Sequence, residues 1–216
     1  MEESKRHKLL RSRRWPGRLN KVILLLAIVG LVGGVYLLLL ATTPRLPILG
    51  RVEPLEVKSL GGPKEDRVYI PKLGINVALL AGGPEVLNQA AWHRLPERGD
   101  PEKGGNFIIS AHRFSLGSTP AQTRQKSPFY HIDKLKVGDQ IVVDFHSKRY
   151  AYEILERKSV KPTQIEIEAA SQVPKLTLYS CSLKGEADGR EVFIAQPLGE
   201  MKNDRADSLS LLSSSI

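Results

Sequence analysis

Between Lys21 and Arg45 the chain has no charged side chain, and from Val22 to Ala41 it is apolar apart from three glycines and Tyr36. A helix of that length reaches about 30 Å, the thickness of a bilayer's hydrocarbon core. The run therefore predicts a single membrane-spanning helix over 22–41. A cleaved leader is the competing reading, but its apolar region spans only about 7–15 residues and ends at a small-x-small site. Ala41-Thr42-Thr43 is a poor version of that site, so the expectation is an uncleaved anchor. Basic residues crowd the near side of the run and only Arg45 follows it closely. That asymmetry predicts a single-pass protein of the cell membrane, with tail 1–21 cytoplasmic and everything after residue 41 extracellular.

The net charge of +9, from 32 basic and 23 acidic residues, invites a nucleic-acid reading. Eight of those basic residues sit in 1–21 against only Glu2 and Glu3, and the remainder is close to balanced. No nucleic-acid partner is expected. One cysteine, Cys181, excludes an internal disulfide framework and a cysteine-based zinc site. An exported thiol without a partner in its own chain calls for an explanation.

Residues 42–66 read as an extracellular linker, with Pro44, Pro47, Pro54 and Pro63 among Gly50, Gly61 and Gly62. From Arg67 the pattern changes to short β-like runs: Arg67–Ile70, Asn106–Ala111, Gln140–Phe145, Arg149–Arg157, Lys175–Cys181 and Glu191–Ala195. Val86, Leu87, Ala90 and Ala91 after Gly82-Gly83-Pro84 predict a helix over Glu85–Leu95. A shorter helical turn is expected at Thr163–Ala170. The fold class is therefore mainly β: a closed or nearly closed barrel over 67–199 with one or two short helices. The polar, serine-rich stretch 200–216 reads as a loose tail.

Cys181 ends the run Lys175–Cys181 and faces a loop containing Gly185 and Asp188-Gly189. It is placed as a nucleophile, although most free cysteines are simply small buried hydrophobes. A free thiol is only about 3% ionised at pH 7, so a nucleophile needs a base or a positive neighbour. Of five histidines, His7 falls in the cytoplasmic tail, and His131 and His146 sit among charged residues as solvated surface would. His93, beside Trp92, reads equally well as packing. His112 ends the apolar run Asn106–Ala111 and opens a long loop to about Pro128, the position of a residue carried at a barrel rim. Arg190 follows Asp188-Gly189 and would sit on the strand beside Cys181. A guanidinium there could hold an oxyanion, and an exposed hairpin arginine is the alternative.

Taken in order, these segments resemble the sortases, membrane-anchored cysteine transpeptidases of mainly Gram-positive bacteria. Tyr69-Ile70-Pro71-Lys72-Leu73-Gly74-Ile75 resembles the family's opening strand, and Gly105 through Arg113 the strand bearing its histidine. Phe129 through Ile141 resembles the middle of the barrel. Leu176-Thr177-Leu178-Tyr179-Ser180-Cys181 resembles the Thr-Leu-x-Thr-Cys signature, and Arg190 falls at the family arginine. Ala111 stands where many members have glycine, and Ser180 where they usually have threonine.

The resemblance implies a sortase-like closed barrel in which Cys181, His112 and Arg190 are catalytic and Ser110, Ala111, Thr177, Ser180 and Ser182 flank the substrate. It implies cleavage of a sorting signal like Leu-Pro-x-Thr-Gly through a thioester on Cys181. The acyl group then passes to an amine of a peptidoglycan precursor or a pilin lysine. No cofactor or metal is expected, although Glu166 and Glu168 could supply half of a calcium site. Leu46-Pro47-Ile48-Leu49-Gly50 mimics such a signal, and self-occlusion stands against an accidental match in a Pro/Gly-rich spacer. Two alternatives remain at this stage: another exported cysteine acyltransferase such as an L,D-transpeptidase, and a non-catalytic membrane-anchored β-barrel that binds a partner.

Overall fold

Gly17–Thr42 forms one helix of 26 residues, α1, which stops two residues short of Pro44. Proline disfavours α backbone in the residue before it. Apolar side chains cover every side of α1: Leu24, Leu31, Val32 and Leu38 are each more than 60% exposed. A helix apolar all round belongs in a protein core or a bilayer, and none of its spanning window is buried by protein. Among the described residues it is the one helix long and apolar enough to cross a membrane. The computed structural model describes residues 17–45 and 53–201, and its contacts divide at Leu39/Leu40 into the helical unit and the remainder. The signal-like segment 46–50, most of tail 1–21 and residues 202–216 lie outside the described residues.

The second unit is built on nine strands: β1 Arg67–Ile70, β2 Ile75–Ala81, β3 Ala91–Arg94, β4 Gly99–Asp100, β5 Gly104–Ser110, β6 Gln140–Phe145, β7 Lys148–Val160, β8 Lys175–Ser182 and β9 Gly185–Glu200. Their order is β3-β2-β1-β6-β7-β9-β8-β5-β4, and a further β3–β5 pairing closes eight of them into a barrel. β2–β3 and β5–β8 are parallel; the other neighbours are antiparallel. The mainly β, closed-barrel architecture read from the sequence is the one observed. Alternation sets the interior: Ile75, Val77 and Leu79 of β2 are buried while Asn76 and Leu80 face out. They join Phe107, Ile109, Ile141, Val143, Leu176, Leu178 and Phe193 in one core.

The helix expected over Glu85–Leu95 does not form. Pro84–Asn88 makes a single 3-10 turn, and Ala91–Arg94 is β3. Trp92 and His93 pair with Leu80 and Ala81 on one side and with Ser110 and Ile109 on the other. β3 is the strand that closes the barrel, so its backbone bonds are needed by both neighbours. That tertiary demand overrides an apolar spacing too short to distinguish helix from strand. Short strands β2 and β4 were not anticipated, nor was α2, Pro120–Gln125. The latter has ordinary start signals: Thr119 accepts from the Gln122 N–H at 3.2 Å, and Pro120 opens the first turn. The turn expected at Thr163–Ala170 is a 3-10 helix over Ile165–Glu168. The linker's second half is tied to the barrel: Leu55 N–H donates to Pro71 O at 2.8 Å, and Gly61 O accepts from Arg149.

Asp144 and Arg149, 1% and 8% exposed, make a forked ion pair across the β6–β7 hairpin, at 2.6 and 2.7 Å. Tyr69 Oη also donates to Asp144, at 3.1 Å. Removing one partner strands the other charge in the interior, which costs about 3–5 kcal/mol. Asp144→Ala is expected to lower the stability of the barrel by that amount in denaturant unfolding. Replacing both residues by apolar ones of similar volume should recover most of it. A single variant with an unchanged unfolding midpoint would show the pair to be dispensable.

Candidate active site

Three strands build the site, and their registers bring its residues together. Ser110 of β5 pairs with Tyr179 of β8 in parallel, and Ala111 N–H still reaches Tyr179 O at 3.4 Å. His112 and Cys181 each lie two residues further on, His112 just past the end of β5, and both line one cleft. Cys181 in turn pairs with Arg190 of β9. The thiol thus has the guanidinium on the neighbouring strand and shares its cleft with the histidine.

Period-two alternation decides which face these residues occupy. Phe107 and Ile109 of β5 and Ala111 just past its end, Leu176 and Leu178 of β8, and Phe193 and Ala195 of β9 point into the core. Ile108, Tyr179 and Val192 form a separate cluster on the outer face, covered by Val160, Ile167 and Ile194. His112, Cys181 and Arg190 share parity with that second set. The site therefore opens on the outer face at the strand ends rather than into the barrel mouth.

The connection from β7 to β8 walls this face. Asn106, fully buried, donates to the carbonyls of Ile167 and Ala169 at 3.0 and 2.8 Å and accepts from Thr177 Oγ1 at 2.6 Å. Glu168 is held by the Arg94 guanidinium at 2.7 Å and by Tyr179 Oη. Burial, and then the bond to Glu168, push the Tyr179 hydroxyl well above the ordinary phenol value. Between the wall and these strand ends lies a cleft of about 250 Å³ lined by residues including Trp92, Arg94, Ser110, His112, Ile167, Cys181, Glu186 and Arg190. A larger hollow of about 510 Å³, bordered by Arg67, Gly74, Arg124 and His131, contains no nucleophile of this kind.

Of the residues flanking the substrate in the sequence reading, Ser110, Ala111 and Ser180 border the cleft. Ala111 is 4% exposed with its methyl in the core, and Ser180 is buried with its hydroxyl on the Cys181 carbonyl at 3.2 Å. Thr177 is buried beneath the wall on Asn106, and Ser182 braces the β8–β9 hairpin through Asp188 Oδ2 at 2.7 Å. His93 packs edge-on against Phe107 in the interior, at 4.9 Å between centroids, as a packing residue would. His146 is exposed and bonds Glu102 at 3.0 Å; His131 is half-buried against Pro44 O at 3.0 Å. Glu166 is exposed while Glu168 is occupied by Arg94, and among the described residues no three His, Cys, Asp or Glu side chains cluster.

Two positioning residues escaped the sequence reading. One is Asn106, the staple of the wall. The other is Arg113, 3% exposed, which donates to Tyr130 O at 2.7 Å and to Asp133 at 2.6 Å. Together with Phe129 N–H on His112 O at 3.2 Å, it clamps the backbone that carries His112. An asparagine and an arginine inside or next to an apolar strand were the available signals, since such groups are buried only when bonded.

Arg190 Nη1 lies 3.6 Å from Cys181 Sγ and donates to Glu186 O at 3.3 Å. Burial pushes the Cys181 thiol above its ordinary value; Arg190 lowers it and Glu186 raises it. Burial pulls His112 below its ordinary value, with Glu186 acting upward and Lys126 downward. Both shifts favour the uncharged forms, thiol and imidazole. If chemistry needs thiolate with imidazolium, kcat/KM is expected to be bell-shaped in pH, its acid limb set by His112 and its alkaline limb by Cys181. Glu186 raises both groups, so Glu186→Gln should move both limbs to lower pH. An unmoved profile in that variant would remove Glu186 from the electrostatics of the pair.

A closed β-barrel whose outer cleft is lined by a half-buried cysteine, a histidine and an arginine defines the class. The sortase domain matches residues 68–198, more than half of the chain, and the protein belongs to the sortase family. Its members are cysteine transpeptidases, and the match to this family, not the chemistry, sets aside the L,D-transpeptidase alternative. Among solved structures, the SrtA sortase from Actinomyces oris is 27% identical, with a TM-score of 0.54 over 68% of this chain and 87% of that one. A Clostridium perfringens sortase D5 transpeptidase is 23% identical, with a TM-score of 0.53 over 66% and 84%. Sortase A of Listeria monocytogenes is 18% identical, with a TM-score of 0.54 over 64% and 91%. These two share the fold. Comparison with curated proteins finds no match.

Proposed function

We propose that this sortase is held in the membrane by residues 22–41, with tail 1–21 cytoplasmic, linker 42–66 and catalytic barrel 67–199 extracellular, and tail 200–216 beyond. Its substrate is a protein ending in a sorting signal of the Leu-Pro-x-Thr-Gly kind. The observation that carries this reading is the convergence of His112, Cys181 and Arg190 on one walled cleft, with Cys181 and Arg190 paired across two strands.

The Cys181 thiolate adds to the scissile carbonyl carbon, forming the C–S bond and an oxyanion that Arg190 stabilises. Imidazolium His112 gives its proton to the departing nitrogen as the C–N bond breaks. What remains is a thioester on Cys181 and a neutral imidazole. An amine from a cell-wall peptide or a pilin lysine then takes the acyl group. Ser110 and the backbone at Ala111 and Ser180 border the acyl-binding part of the cleft. The position of Thr177 favours supporting the wall, and that of Ser182 shaping the hairpin.

A half-exposed thiol 3.6 Å from a guanidinium favours chemistry over a purely binding barrel. The test is to mix the full-length protein with a sorting-signal peptide and measure its mass. An acyl adduct on Cys181 is expected, released by amine; absence of an adduct with a library of such peptides overturns the reading.

A further inference from the structure

Two carboxylates line the catalytic cleft, Glu168 and Glu186. Glu168 is engaged through Oε1 by Arg94 and Tyr179 in the wall. Glu186 sits at the start of β9, two residues past the Leu183-Lys184 turn, with its side chain exposed. The other acid of this hairpin, Asp188, is used internally by Ser182 and Lys184, at 2.7 and 3.9 Å. Arg190 touches Glu186 only through its main-chain carbonyl. Among the described residues, then, the Glu186 carboxylate is a negative charge at the cleft that no hydrogen bond or ion pair engages. It is also close enough to act electrostatically on both His112 and Cys181.

A primary amine acceptor arrives at neutral pH as an ammonium ion, and the site presents it with the fixed positive charge of Arg190. Resting on the transpeptidase reading, we propose that Glu186 is the acceptor subsite, a carboxylate that binds the incoming ammonium beside His112 and selects cationic amines over water. The ammonium held there gives one proton to neutral His112 and becomes nucleophilic. Its nitrogen attacks the thioester carbon, the C–N bond forms and the C–S bond breaks. Sulfur leaves as thiolate and takes the proton back from His112, while the second nitrogen proton passes to solvent. The sum is ammonium plus thioester giving amide, free thiol and one proton.

The experiment uses the full-length protein, a sorting-signal peptide and two nucleophiles: triglycine amide, cationic at neutral pH, and hydroxylamine, uncharged. Partition of the common thioester between water and nucleophile is measured against nucleophile concentration, each variant at its own optimal pH. Glu186→Gln should raise the triglycine amide concentration needed for equal partition about threefold, the scale of an exposed charge pair. Hydroxylamine partition should be unchanged. Glu186→Lys should raise the requirement further, Glu186→Asp should restore part of it, and high salt should erase the difference. Equal triglycine amide partition in wild type and Glu186→Lys, or equal losses for both nucleophiles, would overturn the subsite. Those results presuppose a thioester, so its absence would instead count against the enzyme reading.

Discussion

Cys181→Ala is expected to reduce cleavage of a sorting-signal peptide to background, a loss of about 10,000-fold or more. Neither serine next to it in the chain offers a nucleophile in its place. Ser180, next in sequence, points its hydroxyl at a main-chain carbonyl and has opposite strand parity. Ser182, on the other side of Cys181, shares the parity of Ser180, and its hydroxyl is bound to Asp188. Peptide cleavage followed by liquid chromatography, with intact-protein mass in parallel, measures both turnover and adduct. Retention of even a hundredth of the wild-type rate would mean that the thiol is not the attacking group.

His112→Ala should lower kcat/KM about 100- to 10,000-fold, because the leaving nitrogen then departs without a positioned acid. Arg190→Ala should lower it about 100- to 1,000-fold by removing the cation beside sulfur and oxyanion. Arg190→Lys is not expected to restore it fully, since a flexible ammonium stem does not fix its charge where the planar guanidinium holds Nη1, between sulfur and the Glu186 carbonyl. Arg190→Ala should also raise the alkaline limb of the pH profile, because the positive neighbour that lowers the Cys181 thiol is gone. Combining His112→Ala with Cys181→Ala should add nothing to the single loss, as expected of groups acting as a unit. A rate lowered less than about tenfold in either single variant would separate that residue from the chemistry.

The runs Arg67–Ile70 and Gln140–Phe145 were legible to the residue, because Val, Ile, Tyr and Phe between turn residues mark half-buried strands. The turn between β6 and β7 was not. His146 and Ser147 both take positive φ, 47° and 64°, without the glycine or asparagine that usually signals it. The hairpin is held instead by contacts distant in sequence, among them His146 N–H on Asp66 at 2.8 Å. β3 was misread for a related reason: its identity comes from β2 and β5, not from its own spacing. The same holds for Asn106, whose role depends on carbonyls more than sixty residues away.

Sequence by itself determined the apolar span, the alternation that makes a mainly β domain, and the three side chains worth following. Each of these is a local property, read from neighbours along the chain. Only the tertiary structure decided that Cys181 and Arg190 pair, that His112 shares their face, and that a stapled wall turns that face into a cleft. It also left Glu186 unengaged while occupying Glu168. Register and burial arise from pairing between strands far apart in the chain. A shift of one residue in either ladder would have sent the thiol into the core.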